Sequence, residues 1–391
     1  MDIDTVSAHG GKMHDITNGS GDIATTYAWR ANGNGFLSIM DISVVRDLLE
    51  TRIDPHLCSP SSMITTSMKN LASLLPSAIA VSSKGAIAMV ADNARRGPEL
   101  YLYPSEESWP PIQLTSFNAR FNDYAYPKSD VVDSTAPDGQ WSEGIITYPN
   151  GYRLGDNKQY PLVVYLHGGP EAASSEDFDA GEIGPLRDLF AARGYIVYEP
   201  NYRGSDNMSA AHERAIYRDP GVGPESDIIA GIKKLERWGI VDPKKIAIVG
   251  HSYGGYLTTW SIAHHHFWRS AVVADGAVDW TQEYELAGDG NMAWVRASLG
   301  GSPWNPKSAA LYRTGSPMTY AGKITTPTLI LSGTADITVP ITESFALYHA
   351  LASRHVPVRF IGIPGAHHLP QDPVHLELYY RAIVRWVVGH M

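Results

Sequence analysis

Residues 250–255, Gly250-His251-Ser252-Tyr253-Gly254-Gly255, set a serine between small residues in the pattern G-x-S-x-G. An apolar run, residues 245–249 (KIAIV), precedes the motif, and a segment of helical character follows it. A strand, a tight turn and a helix in that order push the serine out at the apex of the turn. Glycines are needed there because backbone segments approach too closely for side chains. The helix start beyond the serine also favours developing negative charge. The chemistry implied is that of a serine nucleophile, provided that a base and an acid can be found for it.

A serine hydroxyl attacks poorly until a base takes its proton, and the base needs an orienting carboxylate. After such a turn the order along the chain should be serine, acid, histidine. Past Ser252, residues 328–333 (TLILSG) read as a strand that runs into Thr334-Ala335-Asp336. A carboxylate just beyond a strand-ending glycine sits at the carboxyl edge of a sheet, so Asp336 is the candidate acid. Asp275 and Asp279 also follow an apolar run and are secondary candidates. For the base, residues 361–369 (IGIPGAHHL) end another strand and offer His367 and His368 side by side. Position alone does not separate them.

The oxyanion of an acyl-transfer intermediate needs preorganised N–H donors. The backbone of Tyr253 supplies one candidate. The loop His167-Gly168-Gly169-Pro170 supplies the other. His264, His265 and His266 are consecutive, so on a helix they point in different directions and form no ligand face. No metal site and no cofactor is expected. Trp280, Tyr284 and Trp294 lie in a long stretch after a strand, where insertions overhang such sites, and are candidates for the substrate pocket.

The elements around these residues set the architecture. Apolar runs at 161–166, 195–198, 245–249, 270–274, 328–331 and 356–363 suit strands buried on both faces of a parallel sheet. Between them, helical segments are expected at 184–192, 225–238, 253–265, 341–354 and 375–388. In the second of these, Ile228, Ile232 and Leu235 share one stripe. Strand alternating with helix predicts a doubly wound, mostly parallel α/β sheet over residues 160–391. Residues 1–159 read as a short mixed cap. There, residues 42–53 (ISVVRDLLETRI) have helical apolar spacing, while 79–81, 86–91 and 100–103 read as short strands with a turn at 83–85. Residues 71–75 are apolar, and 59–62 look like a loop.

Composition narrows the partners. Forty-one acidic against 31 basic side chains leave a formal charge of −10, which disfavours nucleic acid. Cys58 is the single cysteine of the 391 residues and makes no internal disulfide. No apolar run approaches the roughly 18 residues that cross a bilayer. The first twenty residues lack a hydrophobic stretch, so no secretory signal is expected. The reading is a cytoplasmic chain with a small-molecule or short-peptide substrate and no membrane partner; it leaves the oligomeric state open.

Several motifs together resemble the prolyl oligopeptidase superfamily of serine peptidases, nearest its acylaminoacyl-peptidase and dipeptidyl-peptidase-V-like branch. They are YPLVVYLHGGP (160–170), NYRGS (201–205), GPESDIIAGIKKL (223–235), GHSYGGYLTTW (250–260), LGGSPWNP (299–306) and SPMTYAGKITTPTLILSGTAD (316–336). The resemblance implies an α/β-hydrolase fold, with Ser252 as nucleophile, Asp336 as acid, and Gly169 and Tyr253 as oxyanion donors. The family's base follows P-G-x-G-H, which aligned from Pro364-Gly365 falls on His368, with His367 in place of a glycine. Family peptidases carry a full β-propeller, whereas residues 77–125 here look like one remnant blade at best. The expectation is a Ser-His-Asp hydrolase of a small peptide, amide or ester. The alternatives are an enzyme that cyclises or condenses an intermediate of a microbial, especially fungal, natural-product pathway, and a non-catalytic binding protein of the same fold.

Overall fold

The computed structural model describes residues 3–6, 9–15, 23–52, 64–67, 74–105, 108, 110–155, 157–178 and 185–391. Cys58, the expected loop at 59–62 and most of the apolar stretch 71–75 lie outside the described residues. The chain divides into two units, the first comprising Met1–Tyr126, Ser175–Ala180 and Asp206–Ala211, the second the remainder.

Among the described residues, the first unit contains a two-stranded pair, β1 (Asp4–Thr5) and β2 (His14–Asp15), and two four-stranded antiparallel sheets. One sheet runs β3 (Ile23–Trp29), β4 (Gly35–Ile42), β5 (Val45–Arg52), β6 (Ile64–Ser67) in spatial order. The other runs β7 (Leu75–Val81), β8 (Ile87–Asn93), β9 (Arg96–Tyr103), β10 (Ile112–Gln113). Each has the up-and-down order of a propeller blade, so there are two blade-like sheets where the sequence suggests one at best. The helical reading of 42–53 is corrected as well. Its described apolar residues fall on two strands and the turn between them: Ile42 pairs with Val45, and Ser43 enters that turn at φ 55°. Cross-strand pairing then settles the conformation, with Ile39 facing Leu48 and both fully buried.

Among the described residues, the second unit is built on an eight-stranded sheet. Its strands are β11 (Ser129–Thr135), β12 (Trp141–Thr147), β13 (Tyr160–Leu166), β14 (Ile196–Pro200), β15 (Val241–His251), β16 (Ser270–Ala274), β17 (Thr328–Gly333) and β18 (Val358–Ile363). The spatial order is β11-β12-β14-β13-β15-β16-β17-β18, antiparallel through β14 and parallel thereafter. This is the α/β-hydrolase arrangement. The sheet unit begins at Pro127 rather than Tyr160. The antiparallel strand β11 (SDVVDST) alternates buried and exposed side chains along its second half, so it shows no apolar run of the kind that marks the parallel strands.

The helices are α1 (Leu186–Ala191), α2 (Ala210–Arg214), α3 (Val222–Arg237), α4 (Tyr253–His264), α5 (Trp280–Leu286), α6 (Asp289–Ser298), α7 (Ala309–Thr314), α8 (Ile341–Ala352) and α9 (Pro373–His390). Period-two alternation divides the strand residues between two apolar layers. Ile246 and Ile248 of β15 pack with Ile228, Ile232 and Leu235 of α3 and Leu257 of α4. Ala247 and Val249 pack on the other face with Phe190 of α1 and Tyr379, Ile383 and Val387 of α9. Each such fully buried aliphatic side chain contributes about 1.5–3 kcal/mol relative to exposure. Because β13 and β15 to β18 run parallel, their carboxyl ends share one edge, and Gly169, Ser252, Asp275, Asp336 and His368 all follow those ends.

Candidate active site

Ser252 closes β15 and opens α4, at φ 57° and ψ −121°. That conformation is costly for a residue with a side chain and persists only where the surroundings impose it. The surroundings are tight. A side chain at Gly250 would run into the carbonyl of Gly254, and one at Gly254 into the carbonyl of Leu166. The Ser252 N–H donates to Ala274 O (2.9 Å), which fastens the turn to β16.

His368 is joined to Ser252 through Nε2 and Oγ at 2.8 Å, and to Asp336 through Nδ1 and Oδ2 at 2.7 Å. The second oxygen of Asp336 accepts the N–H groups of Thr338 (2.7 Å) and Val339 (3.0 Å), which leaves Oδ2 free for the imidazole. His367 turns the other way: it is exposed and its Nδ1 donates to Ala335 O at 3.1 Å. The loops carrying acid and histidine are stitched together, with Ala335 N–H donating to Ala366 O (2.9 Å) and Gly365 N–H to Thr334 Oγ1 (2.8 Å). His251 adds a further tie, its Nε2–H donating to the carbonyl oxygen of His368 (2.7 Å).

Tyr253 is the first residue of α4, so its N–H has no acceptor within the helix. Gly169, at φ 108°, lies in the loop after β13, and the carbonyls of Leu166 and His167 press on Gly254. The imidazole of His167 stacks on Tyr202 (4.5 Å between centroids), Tyr202 OH donates to His167 O (2.7 Å), and the Tyr202 ring lies over Tyr253 (6.2 Å). Behind this stack Arg203 clamps Asp227 with its Nε, its Nη2 and its backbone N–H, at 2.7–2.9 Å. Asp138 takes the outer face of the same guanidinium at 2.7 and 3.1 Å. The two carboxylates hold Arg203 well above the usual guanidinium range, and Arg203 holds Asp138 below that of an ordinary carboxylate.

The three aromatic pocket candidates separate. Trp294 makes an edge contact with Tyr253 (5.9 Å), and its Nε1 donates to Glu171, two residues past Gly169, at 2.8 Å. Trp280 is 2% exposed and its Nε1 donates to Gly315 O (3.1 Å), so it is a core residue packed on Tyr256 rather than part of a pocket wall. Tyr284 packs between Trp304 and Tyr312.

The family comparison covers the site. The Prolyl oligopeptidase family model matches residues 186–391, more than half of the chain and all three hydrogen-bonded side chains. The chain belongs to the prolyl oligopeptidase family. Among its relatives, dipeptidyl-peptidase 5 of Aspergillus oryzae is 26% identical over 274 residues, covering 66% of this chain and 35% of its own length. The chain thus spans about a third of that relative. Among solved structures, the acylaminoacyl peptidase of Pyrococcus horikoshii superposes with a TM-score of 0.81 at 20% identity, over 97% of this chain and 58% of the other. A puromycin-hydrolyzing peptidase of Mycobacterium tuberculosis gives a TM-score of 0.83 at 20% identity, over 100% of this chain and 58% of its own.

Two groups of buried acids beside the site carry no motif. Asp275, after β16, is 1% exposed. Among the described residues, Asp275, Asp336 and His368 are the one grouping with ligand-like spacing, and the imidazole–carboxylate bond already occupies two of its members. Further out, Glu343 of α8 accepts the N–H groups of Val278 (2.5 Å) and Asp279 (2.8 Å), which sets the start of α5. Glu283 of α5 accepts from Asn291 Nδ2 (2.7 Å), which also donates to Thr338 O (2.8 Å) on the acid's own loop. The remaining oxygens, Glu283 Oε2 and Glu343 Oε1, are buried without a donor, and the two carboxyls lie against each other.

Burial pushes Glu283 up to about 7 and Glu343 well above the carboxylate range. A carboxyl raised on folding holds its proton where the unfolded chain has lost it. Its contribution to stability is therefore complete below the unfolded value, about 4.3, and is lost as pH rises through 7. Replacing Glu283 by glutamine keeps the acceptor for Asn291 and removes the ionisation. The Tm of Glu283→Gln should therefore gain on wild type as pH is raised from 5 to 8, measured by calorimetry. A constant difference across that range would show that the pair does not titrate there.

Proposed function

We propose that the chain is a serine hydrolase that cleaves the acyl bond of a small peptide, amide or ester through an acyl-enzyme. Support comes foremost from one observation, the continuous hydrogen-bonded line Ser252–His368–Asp336 at 2.8 and 2.7 Å. In this reading Ser252 Oγ attacks the acyl carbonyl as His368 Nε2 takes its proton. Asp336 holds the Nδ1–H tautomer and stabilises the imidazolium that forms. The N–H groups of Tyr253 and Gly169 receive the negative charge on the tetrahedral oxygen. The imidazolium then passes its proton to the departing amine or alcohol. Water, activated by the same imidazole, releases the acid and restores Ser252.

The named activities of relatives, on a dipeptide terminus, an acylated amino acid or puromycin, share scission of an acyl bond and favour a short substrate with such a bond. A fluorophosphonate probe should label the intact chain, and Ser252→Ala should abolish that label. Labelling that survives the substitution overturns the assignment of the nucleophile. An initial burst of product from a p-nitrophenyl ester supports the acyl-enzyme, whereas cyclised or condensed products without net hydrolysis would redirect the reading to a biosynthetic enzyme.

A further inference from the structure

Asp336 is not the single carboxyl at its position. The N–H of Asp275 donates to Leu331 O (2.8 Å), and its Oδ1 accepts the N–H of Gly333 (2.8 Å), which fastens it to the end of β17. The residue takes a left-handed backbone conformation, φ 45°, at the sheet edge. Its other oxygen, Oδ2, is buried and receives no donor. Ligand-capable atoms of Asp275, Asp336 and His368 all lie within 4.8 Å of one another, which sets the two carboxyls side by side.

Two carboxylates so close and so buried do not both remain ionised. The donors decide which one holds the proton. Asp336 accepts three hydrogen bonds, from His368 Nδ1, Thr338 N and Val339 N. Asp275 accepts one. The titratable groups facing Asp275 are Asp336 beyond β17, His368 beyond β18 and His251 at the end of β15. His251 Nε2 stands 3.9 Å from Asp275 Oδ2, beyond hydrogen-bond range, and its proton is engaged by His368 O.

We propose that Asp275 is a positioning residue for the triad: protonated, it donates a hydrogen bond to Asp336 and holds that carboxylate against His368. The assignment rests on the hydrolase reading for its kinetic consequences, not for the proton itself. Desolvation pushes Asp275 up to about 7, His251 opposing it. The donor is therefore present on the acid side of that value and disappears as pH rises through it. An asparagine reproduces the arrangement, its Oδ1 accepting from Gly333 and its Nδ2 donating to Asp336.

The test compares Asp275→Ala and Asp275→Asn in the full chain. Asp275→Ala should lower kcat about tenfold with KM little changed, the cost expected for a lost buried hydrogen bond. Asp275→Asn should regain most of that loss, and its kcat should stay level as pH is raised through 7, where that of wild type falls with loss of the donor. If Asp275→Ala does not fold, the asparagine variant decides alone. A kcat for Asp275→Asn tenfold or more below wild type overturns the proposal, because it would mean that an ionised Asp275 is required. Infrared difference spectra of wild type against Asp275→Asn should show the carbonyl stretch of a protonated carboxyl at pH 6. No such band overturns the proposal even if the probe labels Ser252, and its presence supports the shared proton even if the probe does not.

Discussion

Alanine in place of His368 should lower kcat/KM by about 10⁴-fold or more, while alanine in place of His367 should leave it within about twofold. The imidazole of His368 bonds Ser252 on one side and Asp336 on the other, at 2.8 and 2.7 Å, so in the proposed mechanism its loss removes the base and separates Asp336 from the serine. Residual activity would come from the oxyanion donors and binding alone. His367 points its ring at the Ala335 carbonyl and is exposed, so truncation there removes one surface hydrogen bond. The measurement is steady-state hydrolysis of a small ester or aminoacyl-arylamide that wild type turns over. Equal losses from the two substitutions would contradict the geometry of the loop.

Methionine in place of Arg203 should destabilise the second unit by about 3–5 kcal/mol, the cost of leaving a buried charge without its partner. Asp227 is fully buried and receives three hydrogen bonds from Arg203, two from the guanidinium and one from the backbone. Removing the guanidinium strands that carboxylate in the layer between α3 and the sheet. The exposed Asp138 contributes far less, because water screens it. Urea unfolding should therefore show a large loss for Arg203→Met and a small one for Asp138→Asn. In a double-mutant cycle, Arg203→Met with Asp227→Leu should recover much of the loss, since an apolar pair replaces a buried ion pair at little cost. Additive losses would mean that the two side chains are not energetically coupled.

Much of the candidate site is legible in the amino-acid sequence, for a local reason. The turn at Ser252 needs glycines at fixed offsets and a strand ahead of it, and all of these are neighbours along the chain. Asp336 follows from strand order, since the carboxyl end of a parallel strand is also a local feature. The choice between His367 and His368 is different. The family resemblance favours His368, but adjacent residues on a loop have no periodicity to say which one turns inward. The bonds from Ala335 to Ala366 and from Gly365 to Thr334 set that orientation, and they join segments about 30 residues apart.

Sequence and fold part company where a local pattern is ambiguous. At 42–53 the apolar spacing fits a helix, and pairing with β4 and β6 makes Val45–Arg52 a strand. Strand β11 escapes an apolar-run criterion because this edge strand alternates buried and exposed side chains, and β12 because only Ile145 and Ile146 of its buried residues 144–147 are large and apolar. Trp280 has the composition of a pocket residue and the burial of a core one.

The parallel core of the sheet, the turn at Ser252 and the family are readable from the residues alone, because they rest on apolar periodicity and on glycines that a tight turn cannot do without. Tertiary packing sets what lies behind the hydrogen-bonded line Ser252–His368–Asp336. Asp275 reads in sequence as a second-choice acid after a strand. The parallel register places it beside Asp336 with one oxygen lacking a donor. Such a pairing depends on burial and on neighbours from three strands at once, and no spacing along one chain encodes it.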